Sequence, residues 1–341
     1  MTHSRPHLPP PLFLAIGVFC IGFSAIFVKW AGVAGPVSAF YRTLIAALVI
    51  VPWRLRQTRP LPYRRDLVWV ALGGVFFACD LTLWNSSLLL TSAATAVLLA
   101  NNAPLWVGLA SFLLFRERLA GRYWLGLAVA LGGMVVLVGA DAALRLRFSL
   151  GDALALSSSF FYAAYLITTR TVRARVDTVT FMAVSVAVSA FLLLALNLSL
   201  GSKLHGYPGR VWLSLLGLGL VSHLGGWLAI NYALGHMRAA PLSVGLLGQA
   251  PVTALLAIPL LGEGLRANQV VGGLLVLFGI FLVNQRWRPA GRAGQQRGAH
   301  RRGEPRLPVT PCAAARGPVN PPRQAGAAAD TPSRTGRARP P

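Results

Sequence analysis

The stretch Thr95-Ala-Val-Leu-Leu-Ala-Asn-Asn-Ala-Pro104 returns in the second half of the chain as Leu242-Ser-Val-Gly-Leu-Leu-Gly-Gln-Ala-Pro251. Each copy continues through an apolar run to an acid, at Glu117 in the first copy and at Glu263 in the second. Two glycines then follow each acid at equal spacing: Gly126 and Gly133, and Gly272 and Gly279. The chain therefore contains an internal duplication.

Around these copies lie ten apolar stretches of about 20 residues, the length that a helix needs to cross the hydrocarbon core of a bilayer. We place them at 12–31, 36–53, 67–89, 92–115, 122–140, 150–169, 178–199, 210–234, 239–261 and 267–285. Of the 341 residues, 55% are hydrophobic and only 12% are charged, whereas soluble domains have about 25% charged residues. An odd number of crossings turns the second copy over. We therefore predict an all-α membrane protein with two inverted five-helix repeats, residues 1–140 and 150–286.

The net charge of +23 does not indicate a nucleic-acid partner, because the basic residues lie in short loops and in the tail. Loops on the N-terminal side of the predicted membrane carry 13 basic residues against six on the other side, which predicts a cell-membrane protein with both termini in the cytoplasm. Residues 291–341 are rich in Gly, Pro, Ala and Arg, so we expect a disordered basic tail that can rest on anionic lipid or stay solvated.

Six segments carry a family resemblance: Phe27-Val-Lys-Trp30, Ala39-Phe-Tyr-Arg-Thr-Leu-Ile-Ala-Ala47, Thr91-Ser-Ala-Ala-Thr-Ala96, Pro104 through Glu117, Gly226-Trp-Leu-Ala-Ile-Asn-Tyr-Ala-Leu234 and Pro251 through Glu263. In this order they resemble the drug/metabolite transporter (DMT) superfamily, specifically its EamA-type ten-helix members. The resemblance covers residues 12–286 and gives no counterpart for the tail. It implies two five-helix repeats, cytoplasmic termini, and export or exchange of small metabolites such as amino acids.

Amides beside two prolines are the strongest candidates for a substrate site. Asn101 and Asn102 lie near the middle of the fourth span, and Gln249 occupies the repeat position of Asn102. Pro104 and Pro251 follow two residues later, and a proline removes a backbone hydrogen bond and frees carbonyl groups in the helix. The amides either bind substrate or join transmembrane helices by hydrogen bonds, and the sequence favours neither reading.

A polar and aromatic stripe follows the eighth span. His223, Trp227 and Asn231 are spaced four residues apart, with Tyr232 beside them, so one helix face presents the first three to a predicted cavity. His223 either carries protons for coupling or packs with a hydrogen-bond partner. Four further aromatic residues either line the same cavity or serve in packing: Trp84, Trp106, Tyr162 and Tyr165.

Charged residues inside spans are costly and often functional. Arg42 lies six residues into the second predicted span, about 9 Å along the helix. It either attracts a carboxylate or phosphate of the substrate or is held by a structural partner. Asp80, in the third span, is the candidate partner of Arg42 or Lys29, or else a protonatable coupling group.

The two symmetric acids lie at span ends. Glu117 and Glu263 each follow an apolar run, so we expect them to hold helix corners. The neighbouring Arg116, Arg118 or Arg122 are the expected partners of Glu117.

Motifs of enzymes are absent from the sequence: no Walker-type loop, no His-Glu-x-x-His and no Gly-x-Ser-x-Gly. Three cysteines without metal-ligand spacing predict neither a metal site nor a cofactor. We therefore predict a gradient-driven transporter of a small molecule in contact with membrane lipid, as a monomer or a homodimer. Two alternatives remain: a transporter of phosphorylated or nucleotide-linked metabolites, and a membrane scaffold that moves nothing.

Overall fold

The computed structural model describes residues 9–58, 60–91, 93–139, 149–262, 264 and 266–285. Within these residues it contains ten helices that are long and apolar enough to cross a membrane. They are α1 (Pro10–Ala31), α2 (Gly35–Leu55), α3 (Arg64–Ser87), α4 (Thr95–Phe115), α5 (Gly121–Val138), α6 (Leu150–Val172), α7 (Thr178–Ser199), α8 (Gly209–His236), α9 (Ala239–Leu261) and α10 (Ala267–Asn284). The predicted spans are confirmed, with ends that differ by a few residues. The tail predicted at 291–341 lies outside the described residues.

Local sequence signals set the helix ends. The Ser149 hydroxyl accepts a hydrogen bond of 3.2 Å from the Asp152 backbone N–H, and the Asp152 carboxylate accepts one of 2.8 Å in return, so a capping box starts α6. Asp177 starts α7 by accepting two backbone N–H bonds of 3.1 Å. Gly262 ends α9 at φ 66°, a left-handed conformation that glycine adopts without steric cost.

Two spans are interrupted at equivalent places of the duplication. The span of α4 is formed by the helical segments Ala93–Ala100, which begins two residues before Thr95, and Ala103–Phe115, and α9 consists of Ala239–Leu246 and Gln249–Leu261. In both spans the proline of the repeated sequence lies in the first turn of the second segment, where its missing N–H leaves no helical bond unmade. The second segment of α4 packs against the first segment of α9, so the interrupted spans meet.

Glycine contacts between α5 and α10 show how the two repeats are related. A Cβ on Gly126 would lie 2.8 Å from the carbonyl oxygen of Gly279, and one on Gly133 would lie 2.9 Å from that of Gly272. Gly126 is the repeat equivalent of Gly272, and Gly133 that of Gly279. Gly126 of α5 therefore packs on Gly279 of α10, and their repeat equivalents Gly272 and Gly133 pack on each other in the same way. A twofold axis in the membrane plane relates these two contacts.

The other helix pairs follow the same symmetry. Packing of α3 on α6 is matched by packing of α8 on α1, and α2 packs on its own counterpart, α7. The fold is thus all-helical with two inverted five-helix repeats.

Contacts at the helix ends are consistent with two faces of the molecule. We call the face with the start of α1 and the loops α2–α3, α4–α5, α6–α7 and α8–α9 the N-terminal face, and the other one the opposite face. Arg175, in the α6–α7 loop, pairs at 3.2 Å with Asp66, in the first turn of α3, at the N-terminal face. Asn197 donates a 3.0 Å hydrogen bond to the Pro36 carbonyl at the opposite face. Both contacts join ends that ten successive crossings place on the same side.

Candidate functional site

Helix α8 leaves α-helical geometry in its middle, where Leu218–Gly226 form a π-helix. Such turns are rare and often occur at functional sites. A Cβ on Gly219 or Gly226 would lie within 2.8 Å of side chains on α2 and α1, respectively, so only glycine lets this segment pack so closely. The π-helix places His223 deep in the bundle and ends directly before Trp227.

Aromatic rings from α3 and α6 surround these two residues. The ring centroid of Phe77 lies 5.5 Å from that of His223 and 5.0 Å from that of Trp227. Tyr162 and Tyr165 lie 5.8 Å and 5.3 Å from Trp227. We call these five residues the aromatic cluster. It joins a helix of the first repeat to two helices of the second, and it contains the predicted candidates Tyr162 and Tyr165.

Several polar atoms in and beside the aromatic cluster are buried without a hydrogen-bond partner among the described residues. They are both ring nitrogens of His223, Nε1 of Trp227 and Nε of Arg42. Leaving a buried donor or acceptor unpaired costs about 1–3 kcal/mol, and more for a charged group. Buried polar groups in proteins are almost always paired, so this concentration indicates a place where a ligand or water completes the bonding.

Arg42 of α2 and Asp80 of α3 bring opposite charges to the cluster. Arg42 is only 9% exposed and interacts electrostatically with Asp80, Tyr162 and His223. The Ser158 hydroxyl donates a 2.5 Å hydrogen bond to the Asp80 carboxylate. The two predicted charges therefore lie in one place, but the direct partner of Asp80 is Ser158, and the two charges interact at longer range than an ion pair.

A hydrogen-bonded layer lies between the cluster and the N-terminal face. Tyr165 donates to the side-chain oxygen of Asn231 at 3.0 Å, and Asn231 Nδ2 contacts the Met182 sulfur at 3.1 Å. Arg173, just after α6, donates from Nε to the Asn231 carbonyl at 3.1 Å and from Nη1 to the Val176 carbonyl. Burial lowers the pKa of Arg173 to about 10, so the guanidinium stays charged at neutral pH. The Asn231 side chain is thus engaged within the protein.

The predicted amide residues lie at the helix interruptions. Asn101 and Asn102 donate to carbonyls of the preceding turn of α4 at 2.7 Å and 3.1 Å, and Gln249 begins the second segment of α9. Trp106, in the same part of α4, donates to the Ser159 hydroxyl at 2.8 Å and so joins α4 to α6. No hydrogen bond among the described residues joins the three amides to the aromatic cluster, and their role in substrate binding stays a prediction.

Glu117 has a different partner from the expected ones. Its carboxylate lies 3.3 Å from Nε of Arg238, which belongs to the α8–α9 loop, whereas the expected partners were its own neighbours. The reason is tertiary: packing of α4 on α9 brings a loop of the second repeat to this corner. Glu263 lies outside the described residues.

Two further candidates lie away from the aromatic cluster. Lys29 is exposed near the end of α1 at the opposite face. Tyr232 is turned toward α1, where its ring lies 4.3 Å from that of Phe13. Among the residues that the structure describes, no group of three or more His, Cys, Asp or Glu side chains could hold a metal ion.

Two cavities lie outside the cluster. One of about 500 Å³, which we call the vestibule, lies between α1, α8 and the α6–α7 loop and includes Arg173 in its wall. The other, of about 420 Å³, lies between α3, α4 and α6 and has mainly apolar walls. Of the sequence candidates, Tyr232 lines the vestibule and Trp106 lines the second cavity, whereas Arg42, Trp227, Asn231 and the three amide residues at the helix interruptions line neither.

Three residues of the site escaped the sequence analysis. The run of three serines at 157–159, inside an apolar span, is the sequence signal that indicates Ser158. Phe77 looks like any apolar residue of α3, and Arg173 looks like a loop charge beside Arg170 and Arg175. Nothing in the linear sequence assigns these two their positions.

Ten helices in inverted repeats around a buried polar site define a multi-pass membrane transporter. The model of the EamA-like transporter family matches residues 9–139 and again 149–285, and this chain belongs to that family.

Curated relatives agree with this assignment. The chain is similar to a "Probable terminal-alkyne amino-acid exporter" of Streptantibioticus cattleyicolor, with 28% identity over 81% of this chain and 92% of the relative. It is also similar to an "Uncharacterized transporter" of Archaeoglobus fulgidus, with 25% identity over 80% and 94%, and to the "Uncharacterized transporter YdfC" of Bacillus subtilis, with 22% identity over 78% and 87%. A solved crystal structure with 22% identity matches at a TM-score of 0.68 over 81% of this chain and 96% of that chain, which shows a shared fold alone.

Proposed function

We propose that this transporter exports or exchanges an amino-acid-like metabolite across the cell membrane by alternating access. The N-terminal face is the cytoplasmic one in this proposal, because its loops carry most of the loop arginines. The observation that carries the proposal is the Arg42 guanidinium, which is buried beside the aromatic cluster with an unpaired Nε.

The charges at this site suit a zwitterion. A substrate carboxylate would supply acceptors for Arg42 and for Nε1 of Trp227, both of which lack a partner among the described residues. A substrate ammonium would find the carboxylate of Asp80, which Ser158 orients by its hydrogen bond. Phe77 and the rest of the aromatic cluster would pack against an apolar side chain. A buried charge without a partner is strongly destabilising, so a bound substrate of this kind removes a cost that the empty site carries.

Alternating access is supported by the symmetry of the fold. A structure that is closed toward one face by the Tyr165–Asn231–Arg173 layer has a symmetry-related form in which the other repeat closes the opposite face. Small residues between α5 and α10 let the helices slide without disturbing large side chains. Exchange of these two forms would present the cluster to each side in turn.

The alternative substrates fit less well. A phosphorylated or nucleotide-linked metabolite carries two or more negative charges, whereas the charged groups beside the aromatic cluster are one guanidinium, of Arg42, and one carboxylate, of Asp80. A scaffold would have no use for buried unpaired donors, which destabilise the protein unless a ligand meets them.

Counterflow into proteoliposomes tests the proposal, with radiolabelled L-phenylalanine as the probe. Phenylpyruvate lacks the ammonium group and phenethylamine lacks the carboxylate, so the two compounds report separately on the two charges. We expect Arg42→Gln to weaken competition by L-phenylalanine and phenylpyruvate, and Asp80→Asn to weaken competition by L-phenylalanine and phenethylamine. Each loss should be about 10- to 150-fold, the range for a buried hydrogen bond to a charged group.

Matched substitutions in the ion pair between Arg175, which is exposed, and Asp66, which is buried, provide the control. Arg175→Gln and Asp66→Asn remove the same chemical groups at the N-terminal face, and both should leave competition unchanged. Absence of any counterflow with the probe and with a panel of other amino acids would contradict the proposal. Equal competition in wild type, Arg42→Gln and Asp80→Asn would move the binding site elsewhere.

A further inference from the structure

The wall of the vestibule contains Arg173, which makes hydrogen bonds through two of its three guanidinium nitrogens. Arg173 donates from Nε to the Asn231 carbonyl and from Nη1 to the Val176 carbonyl. Its Nη2 has no hydrogen-bond partner among the described residues, and Arg173 is part of the cavity wall. Gly235 leaves room for this nitrogen, because a Cβ there would lie 2.8 Å from Nη2. The guanidinium is thus fixed at two points, and Nη2 is its one nitrogen without a hydrogen bond to a described residue.

The rest of the vestibule fits a small amphipathic molecule. Phe13, Ile16, Leu228 and Tyr232 form apolar walls around about 500 Å³, a volume within the usual range for small-molecule sites. A guanidinium is well matched to a carboxylate in shape and charge. Asp177 also lines the vestibule and interacts with Arg173, so its charge disfavours ligands with several negative charges.

We infer that the vestibule is a second binding site, in which Arg173 receives the carboxylate of an apolar or aromatic amino acid at the N-terminal face. This inference deepens the proposed function and rests on it, since it places a second site for the same substrate class on the route to the aromatic cluster. The two sites are physically linked: Arg173 bonds the carbonyl of Asn231, and the side chain of Asn231 bonds Tyr165 of the cluster.

Protection of a single cysteine tests this site without relying on transport. In protein that lacks its three native cysteines, Thr178→Cys places a thiol in the vestibule wall, and the full-length variant is labelled with a maleimide in lipid nanodiscs. L-Phenylalanine and phenylpyruvate should both slow labelling, by about tenfold at ten times their Kd, whereas phenethylamine should not. A reporter at Gly121→Cys, where a Cβ meets nothing within 4 Å, should be unaffected by any of the three compounds.

Further variants separate the two sites. Protection should persist in Arg42→Gln, in which the central site is impaired, and should be lost in Arg173→Gln. Val179→Phe fills the vestibule and leaves every hydrogen bond of Arg173 in place, so it should also abolish protection. This variant tests the site even if Arg173→Gln fails to fold.

The outcomes are distinct from those of the proposed function. Counterflow without protection at Thr178→Cys overturns the vestibule site and leaves the proposed function standing. Protection that disappears in Arg42→Gln also overturns the vestibule site, because the reporter would then sense only the central site. Equal protection by phenethylamine overturns it as well. Protection without counterflow supports the vestibule site while the proposed function fails.

Discussion

Substitution of Gly279 by alanine should force α5 and α10 apart. The new Cβ would lie 2.5 Å from the carbonyl oxygen of Gly126 and 2.6 Å from the backbone nitrogen of Ala130. Non-bonded heavy atoms prefer separations of about 3.5–4.0 Å, so the helices would have to separate by about 1 Å. Both opposing atoms belong to the backbone and cannot rotate away. Overpacking of this kind costs about 1–3 kcal/mol.

Gly132→Ala is the matched control for this prediction. Gly132 lies in α5, and a Cβ there would meet nothing within 4 Å. Both substitutions gain the same helix propensity, about 1 kcal/mol for Gly to Ala, so the difference between the two variants isolates the clash. We expect Gly279→Ala to be less stable than Gly132→Ala by about 1–3 kcal/mol.

Reversible unfolding in mixed micelles measures this difference. Purified variants are titrated with sodium dodecyl sulfate and followed by tryptophan fluorescence, and the free energies of unfolding are compared. Gly126→Ala should behave like Gly279→Ala, because its Cβ would lie 2.8 Å from the carbonyl oxygen of Gly279. Equal free energies for Gly279→Ala and Gly132→Ala would refute the close packing of α5 on α10 and the cross-pairing of the repeats that depends on it.

Two further predictions concern topology and the amides. Gly121→Cys and Gly264→Cys are made in protein without native cysteines, and both positions have open surroundings. In intact cells, an impermeant thiol reagent should label Gly264→Cys and leave Gly121→Cys unlabelled. Labelling of both variants from one side of the membrane would contradict the inverted-repeat arrangement. Asn102→Leu and Gln249→Leu should each raise the apparent KM for L-phenylalanine in proteoliposomes by roughly 5- to 150-fold at equal protein levels, if each amide bonds a desolvated substrate. An unchanged KM in both variants would assign them to helix packing.

Much of this fold could be predicted from the sequence because, in lipid, the structure of each span depends mainly on its own residues. With no water in the bilayer core, a crossing segment must satisfy its backbone hydrogen bonds internally, so about 20 apolar residues suffice to predict a helix. The stretch that ends at Pro104 is repeated in the stretch that ends at Pro251. This duplication predicts inverted repeats, since five membrane crossings place the second repeat in the opposite orientation. Both expectations are confirmed.

The sequence pointed to residues that the structure brings together only where one helix face or the depth of a charge carries the signal, and their roles in a substrate site stay predictions. Spacing of four residues placed His223 and Trp227 on one face of α8, and depth in α2 singled out Arg42. The same reasoning did not find that α8 contains a π-helix, which packs closely against α1 and α2 through glycines.

The remaining contacts join residues that are far apart in the chain. Ser158 reaches Asp80 across 78 residues, and Glu117 pairs with Arg238 of the other repeat. Linear spacing holds no information on such pairs, because they depend on which helices pack together and at what depth each side chain lies. Sequence periodicity therefore predicts the spans and their symmetry, while the partners of each buried charge follow from helix packing, which sets the distances over which charges and hydrogen bonds act.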